Sequence, residues 1–231
     1  YGVLSRQGVI PAASSLDSVG LFTRDAHTLR QALNRLHIAV ESPLDALPAI
    51  TFIPAALPEI DAALLRFLAE AGVQPAQGEL PTLVDAHLAG VAIISHENWQ
   101  AFSPLLMEES VSQDVATRIR AGGSVTAEAL SQAEQVRRRF SDDVDALLAD
   151  TPLLALATLP ELPPTLTEAN DPLSVVNLTR LVRPFNLSGH PALTLPAGTL
   201  DGRPIALQLV ARKGAEGLLV QAAEWLMRRR V

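Results

Sequence analysis

The chain has 231 residues, 48% hydrophobic and 19% charged, with a formal net charge of −7 and a pI near 5.2. This length allows one sizeable core, and the acidic balance argues against a nucleic-acid footprint, which needs clustered positive charge. With no cysteine, the chain has no disulfides, thiolate metal sites or cysteine nucleophiles. Its longest apolar stretches, such as Leu153 to Ala157, fall far short of the ~20 residues of a membrane-crossing helix. No secretory signal opens the sequence, so a cytoplasmic location is expected, although Tyr1 is not an initiator methionine.

After an opening loop, Thr23 is placed to cap a helix whose apolar face is Ala26, Leu29, Leu33 and Leu36. Ala49 to Pro54 reads as a brief strand. Pro58 then opens a helix carrying Ile60, Leu64, Phe67 and Leu68, and Gly72 stops it. This alternation of strand and helix indicates an α/β unit. A long helix is predicted from Pro81 to about Phe102, broken at Ser103-Pro104. Ser112 caps a shorter one that ends at Gly122-Gly123, and Ser124 restarts a third with Leu130, Ala133, Val136, Phe140, Val144 and Leu147 at near-3.6 spacing. The arginine clusters Arg137 to Arg139 and Arg228 to Arg230 read as solvated helix faces.

Leu153 to Thr158, bounded by Pro152 and Pro160, is short and apolar enough to be a buried strand, and Pro160 to Pro164 an extended loop. Asp171 and Pro172 suggest a cap and first-turn proline for a helix ending near Arg183. Pro184 and Pro191 bracket Asn186 and Gly189, which predicts a turn. Ala192 to Ala197 and Pro204 to Val210 are apolar runs separated by Gly198 and Asp201-Gly202, the punctuation of a hairpin. From Gly214 onward, Leu218, Leu219, Ala222 and Leu226 form a helical stripe that packs back on those strands. The fold class is therefore α/β, a mixed central sheet flanked by helices.

The residues offer little conventional catalytic machinery. Ser14-Ser15 lacks the flanking glycines that expose a nucleophile and aim N–H groups at an oxyanion. Gly122-Gly123-Ser124 reads as a helix stop followed by a cap. Lys213 is the one lysine among 18 lysines and arginines, and it sits in a turn where an exposed, protonated amine is expected. Arginine stays protonated and does not serve as a base. His87 and His96 lie nine residues apart, on poorly aligned helix faces, and His96-Glu97 lacks the second histidine of a zincin helix, so no metal site is assigned. His190 is read as a hydrogen-bonded structural histidine. Asp17 either holds its loop through local backbone bonds or shapes a site. Gln208, interrupting an apolar strand, must be paired, either by tying the strand to a loop or by facing a pocket. Asn186 is expected to satisfy backbone groups in its turn.

Two motifs carry a family resemblance. The run Asn186, Gly189, Pro191, Ala192, Pro196 and Gly198, followed by Pro204 and Gln208, resembles the C-terminal end of the amidase signature hydrolases. Ser5 to Asp25, with Gly8, Pro11, Ser15, Leu16, Asp17 and Gly20, resembles the family segment that follows its nucleophile region. Between them, Ile119 to Phe140 and Asp145 to Pro164 are similar to the family's helix pair and the strand after it. The resemblance implies that residues 1–231 are the C-terminal part of a single amidase signature domain whose sheet is completed by upstream strands.

It further implies hydrolysis of an amide bond by a serine nucleophile, with proton transfer through a second serine and a lysine. That triad is expected upstream of Tyr1, leaving no catalytic residue in this chain. The chain's expected part is to wall the acyl pocket, with Asp17, Thr179 and Asn186 as substrate-binding residues. No cofactor is implied. The expected partners are a small-molecule amide and either the missing N-terminal part or a second chain, and a homo-oligomer is compatible with this reading. Glutamine-dependent tRNA amidotransferase subunits of the family carry an acidic residue where Thr179 stands, and their Arg-Tyr-Asp-Gly run is absent after Glu97, which argues against that subclass. The alternative is a non-catalytic lobe or pseudoenzyme that binds a partner through an uncovered sheet edge.

Overall fold

In a computed structural model of the chain, residues 2–11, 13–107, 111–170 and 177–229 are described. The helices among them are α1 (Ala26–Arg35), α2 (Pro58–Glu70), α3 (Leu83–Phe102), α4 (Gln113–Gly122), α5 (Ala127–Asp150), α6 (Arg183–Ser188) and α7 (Glu216–Arg228). The strands are β1 (Ile50–Phe52), β2 (Ala76–Gln77), β3 (Leu153–Ala157), β4 (Ala192–Leu200) and β5 (Arg203–Ala211), with short 3-10 turns at Ser103–Met107, Glu168–Asn170 and Thr179–Leu181.

The five strands form one mixed sheet in the order β2-β1-β3-β5-β4. β1 runs parallel to β2 and β3, whereas β5 is antiparallel to both β3 and β4. All five residues of central β3 are buried. A strand covered on both faces gains from apolar side chains at successive positions, which is why this run does not alternate. The β4–β5 hairpin turns on Asp201 and Gly202, at φ 50° and 72°. Two left-handed residues match the right-handed twist of the flanking strands.

The helices bury their apolar stripes on this sheet and on each other. Phe140 of α5 and Phe185 of α6 meet with ring centroids 5.8 Å apart. At the far end, the Arg30 guanidinium of α1 donates to both carboxylate oxygens of Glu224 on α7, at 2.8 and 2.6 Å. Arg30 also donates to the carbonyls of Val40 and Glu41, and Gln221 donates to that of Ser42. The connection after α1, which has no regular structure of its own, is thereby fixed to the C-terminal helix.

Several local expectations need correction. The α1 cap is Asp25, whose carboxylate accepts from the Thr28 amide at 2.7 Å, while the Thr23 hydroxyl donates to the Asp25 carbonyl. The α5 cap is Thr126, not Ser124. Gly122 and Gly123 do more than stop a helix. A Cβ at Gly122 would lie 1.9 Å from the Ser95 carbonyl oxygen, and one at Gly123 would meet the Trp99 ring at 2.9 Å. Close crossing of α4 and α3 therefore requires both. The turn expected around Asn186 is the short helix α6, with Pro184 in its first turn and Gly189 at φ 77° as its left-handed end. Asp171 and Pro172, the expected start of a preceding helix, lie outside the described residues.

Candidate functional site

Two of the residues singled out from the sequence, Ser14 and Ser15, are held against α3 by Glu97. The Ser14 hydroxyl accepts from the amides of Leu16 and Asp17, at 3.4 and 3.1 Å, and donates to Glu97 of α3 at 3.2 Å. The Ser15 amide donates to both oxygens of the same carboxylate, at 3.1 and 3.0 Å. One glutamate thus holds a serine-initiated turn, and Leu16, 2% exposed, plugs into the core beneath it. Ser14 and Ser15 are anchors of this loop. Arg6 closes its other side through the carbonyls of Ser14 and Pro11.

Arg137 of α5 makes the second tie. Its Nη2 donates to the Ser15 carbonyl and hydroxyl at 2.9 and 3.0 Å, its Nε to the Leu187 carbonyl of α6 at 2.8 Å, and its Nη1 to Glu134. The expectation of a solvated Arg137 is therefore wrong, whereas Arg138 and Arg139 are exposed as expected. A signal was present: Arg137 falls four residues after Ala133 and three before Phe140, on the buried stripe of α5. A planar fork of donors suits this position, because it reaches the carbonyls of two separate segments at once.

Of the expected substrate-binding residues, Asp17 is half-buried in the anchored loop. Thr179 opens the 3-10 turn, and its hydroxyl accepts from Arg183 at 2.8 Å. Asn186 is exposed on α6, so its side chain does not serve the turn as expected. Arg137 links the Asp17 loop to α6, and Arg183 links Thr179 to α3. The framework brings the three segments together without joining the three side chains in one network.

Gln208 of β5 donates to the Leu181 carbonyl at 3.0 Å, tying strand to loop. His190 is buried between the Ser188 hydroxyl and Asp145, at 2.9 and 3.0 Å, which bears out a structural histidine. Its pKa is lowered, because burial outweighs the neighbouring carboxylate. Lys213 is exposed and donates to Ser141. Among the described residues, no cluster of three or more His, Cys, Asp or Glu is arranged to hold a metal ion, and no helix is long and apolar enough to cross a membrane.

The sequence pattern of the Amidase family matches residues 37–220. The chain belongs to that family. It is 27% identical over 256 aligned positions to a glutamyl-tRNA(Gln) amidotransferase subunit of Methanothermobacter thermautotrophicus, covering 96% of this chain and 56% of the relative. A second protein of that name, from Halobacterium salinarum, is 38% identical over 93 residues, covering 40% of this chain and 22% of the relative. Among solved structures, one described as an amidase superposes with a TM-score of 0.77 at 21% identity, over 90% of this chain and 51% of the other. The corresponding glutamyl-tRNA(Gln) amidotransferase subunit of Thermotoga maritima superposes with a TM-score of 0.73 at 21% identity, over 98% and 56%. At such identities these superpositions establish the fold alone. The chain spans a little over half the length of the first of these relatives.

Proposed function

We propose that residues 1–231 are the C-terminal part of a single amide-hydrolysing domain of the amidase signature family, with its nucleophilic serine on polypeptide that precedes Tyr1. The observation that carries this reading is the family match across residues 37–220. Three others support it. The matched relatives are almost twice as long as the chain. Among the described residues the nine-residue strand β4 has no strand paired on its outer edge, an edge that proteins ordinarily cover. Apolar side chains of the opening segment lack cover, with Ile10 79% and Phe22 100% exposed.

In this reading the chain builds one wall of the acyl pocket. Glu97, Arg6 and Arg137 hold the Asp17 loop, and Arg183 holds Thr179. Asp17, Thr179 and Asn186 meet the substrate. Their partners are a small-molecule amide and the N-terminal part, whether continuous with this chain or separate. The names of the relatives suggest a role in an amidotransferase, but a neutral Thr179 favours a different amide. The test is substrate ranking in the full-length protein. Thr179→Asp is expected to reorder turnover across a panel of neutral, anionic and cationic amides; an unchanged order removes Thr179 from the site.

A further inference from the structure

Buried charge in a folded protein is normally paired, because desolvating an ion without a partner costs several kcal/mol. Arg183 is half-buried, and its buried part lacks such a partner. Its aliphatic stem lies flat on α3 at Gly90, where a Cβ would meet Cγ and Cδ, each at 2.9 Å. Only glycine allows this approach. The guanidinium makes one side-chain bond, to the Thr179 hydroxyl, and none to a carboxylate among the described residues. Its Nε is buried without a partner.

A second orphan sits on the same face of α3, one turn earlier. His87 is 6% exposed, and its Nδ1 is likewise buried and unpartnered. Both groups have depressed pKa values. Burial lowers that of Arg183; burial and then repulsion from Arg183 and Arg180 lower that of His87, and no acidic group offsets either. Unused N–H capacity on two side chains therefore lies along one face of α3, and Leu16 also borders Gly90 on that face. This is the core end of the loop that carries Asp17.

We infer that Arg183 and His87 form a carboxylate-binding subsite, and that the protein's substrate is an amide that also bears a free carboxylate. The substrate half of this inference rests on the amidase reading above. A guanidinium presents parallel donors that match the two oxygens of a carboxylate. His87, held neutral, adds one N–H with Nδ1 as the protonated nitrogen. Thr179 accepts from Nη2 and so restrains the fork. A neutral amide leaves these donors unpaired, which penalises it relative to an anionic one.

The experiment uses the full-length protein, with succinate as a non-reacting probe and succinamate and butyramide as an anionic and a neutral amide of similar size. Succinate is expected to raise the thermal midpoint beyond potassium chloride at equal ionic strength, and kcat/KM is expected to favour succinamate. Arg183→Gln should lower kcat/KM for succinamate by about tenfold or more, mainly through KM, and abolish protection by succinate, with a distinctly smaller loss for butyramide, which feels only the loosened Thr179. Arg183→Lys should recover part of the loss. If Arg183→Gln fails to fold, His87→Leu, which removes a donor without removing the arginine, should still weaken protection severalfold. Protection of the wild type no greater than that by chloride, or protection and amide preference that ignore both substitutions, overturns the subsite. Protection that depends on Arg183, with no amide hydrolysed, supports the subsite and removes the amidase reading instead.

Discussion

The sheet and the α3 wall are built on opposite principles. Around β3 and β5 the contacts are apolar side chain on apolar side chain, with Leu154, Leu156, Leu207 and Leu209 fully buried. Along α3, charged side chains hold main-chain atoms: Glu97 takes the Ser15 amide, and Arg137 reaches the carbonyls of Ser15 and Leu187. Hydrophobic burial is non-directional and sums over area, so the sheet tolerates small shifts. A carboxylate that accepts two or three bonds fixes position and orientation together. The proposed pocket wall would thus get its precision from polar ties set on a rigid apolar scaffold, not from the scaffold's own packing.

Substitutions separate the two principles. In the full-length protein, the largest loss is expected on the apolar side: Phe140→Ala, removing a fully buried ring that meets Phe185, should cost about 3–5 kcal/mol by denaturant unfolding. Arg137→Ala should cost less globally, about 1.5–3 kcal/mol as expected for bonds from a charged donor. Its signature is local: faster amide exchange at Ser15, Leu16 and Asp17 while β3 and β5 stay protected. Equal loosening of sheet and loop would erase the distinction between them.

The smallest effect is one of pH. His87 and His190 both have folded pKa values below the ordinary histidine value of 6.5 because they are buried. Below that value the unfolded chain binds more protons than the folded one, so their contribution is complete above it and is lost as pH falls through the folded pKa values. Between about pH 7.5 and about pH 5.5 the urea midpoint should therefore decrease, and His190→Gln should flatten that decrease. A midpoint that rises on acidification contradicts the assignment of two neutral, buried histidines.

The legibility of the sequence follows the same division. Periodicity located α2, α3, α5, β3, the hairpin and α7 because these elements bury continuous apolar stripes. It overlooked β2, whose two residues Ala76 and Gln77 are both exposed and carry no pattern. It read α6 as a turn because the six residues Arg183–Ser188 are too few to display a helical period. The site was legible as segments, through the motif around Asp17 and the run after Arg183, but its ties were not. Glu97 and Arg137 lie 82 and 122 residues from Ser15, and no local spacing reports a bond across such distances. Gln208 had the opposite outcome. A lone amide within an apolar strand demanded a partner, and the structure supplies one in Leu181.

The central claim is that this chain supplies a pocket wall and not the nucleophile, and the most direct measurement compares amide turnover by residues 1–231 alone with that of the full-length protein, monitoring unfolding of both. The isolated chain is expected to hydrolyse no amide above background and to aggregate or lose cooperative unfolding, because β4 would present an unpaired edge. The full-length protein should turn over at least one amide and unfold cooperatively. A monomeric, cooperatively unfolding and active 231-residue product would contradict the account, because it would place the catalytic residues within this chain.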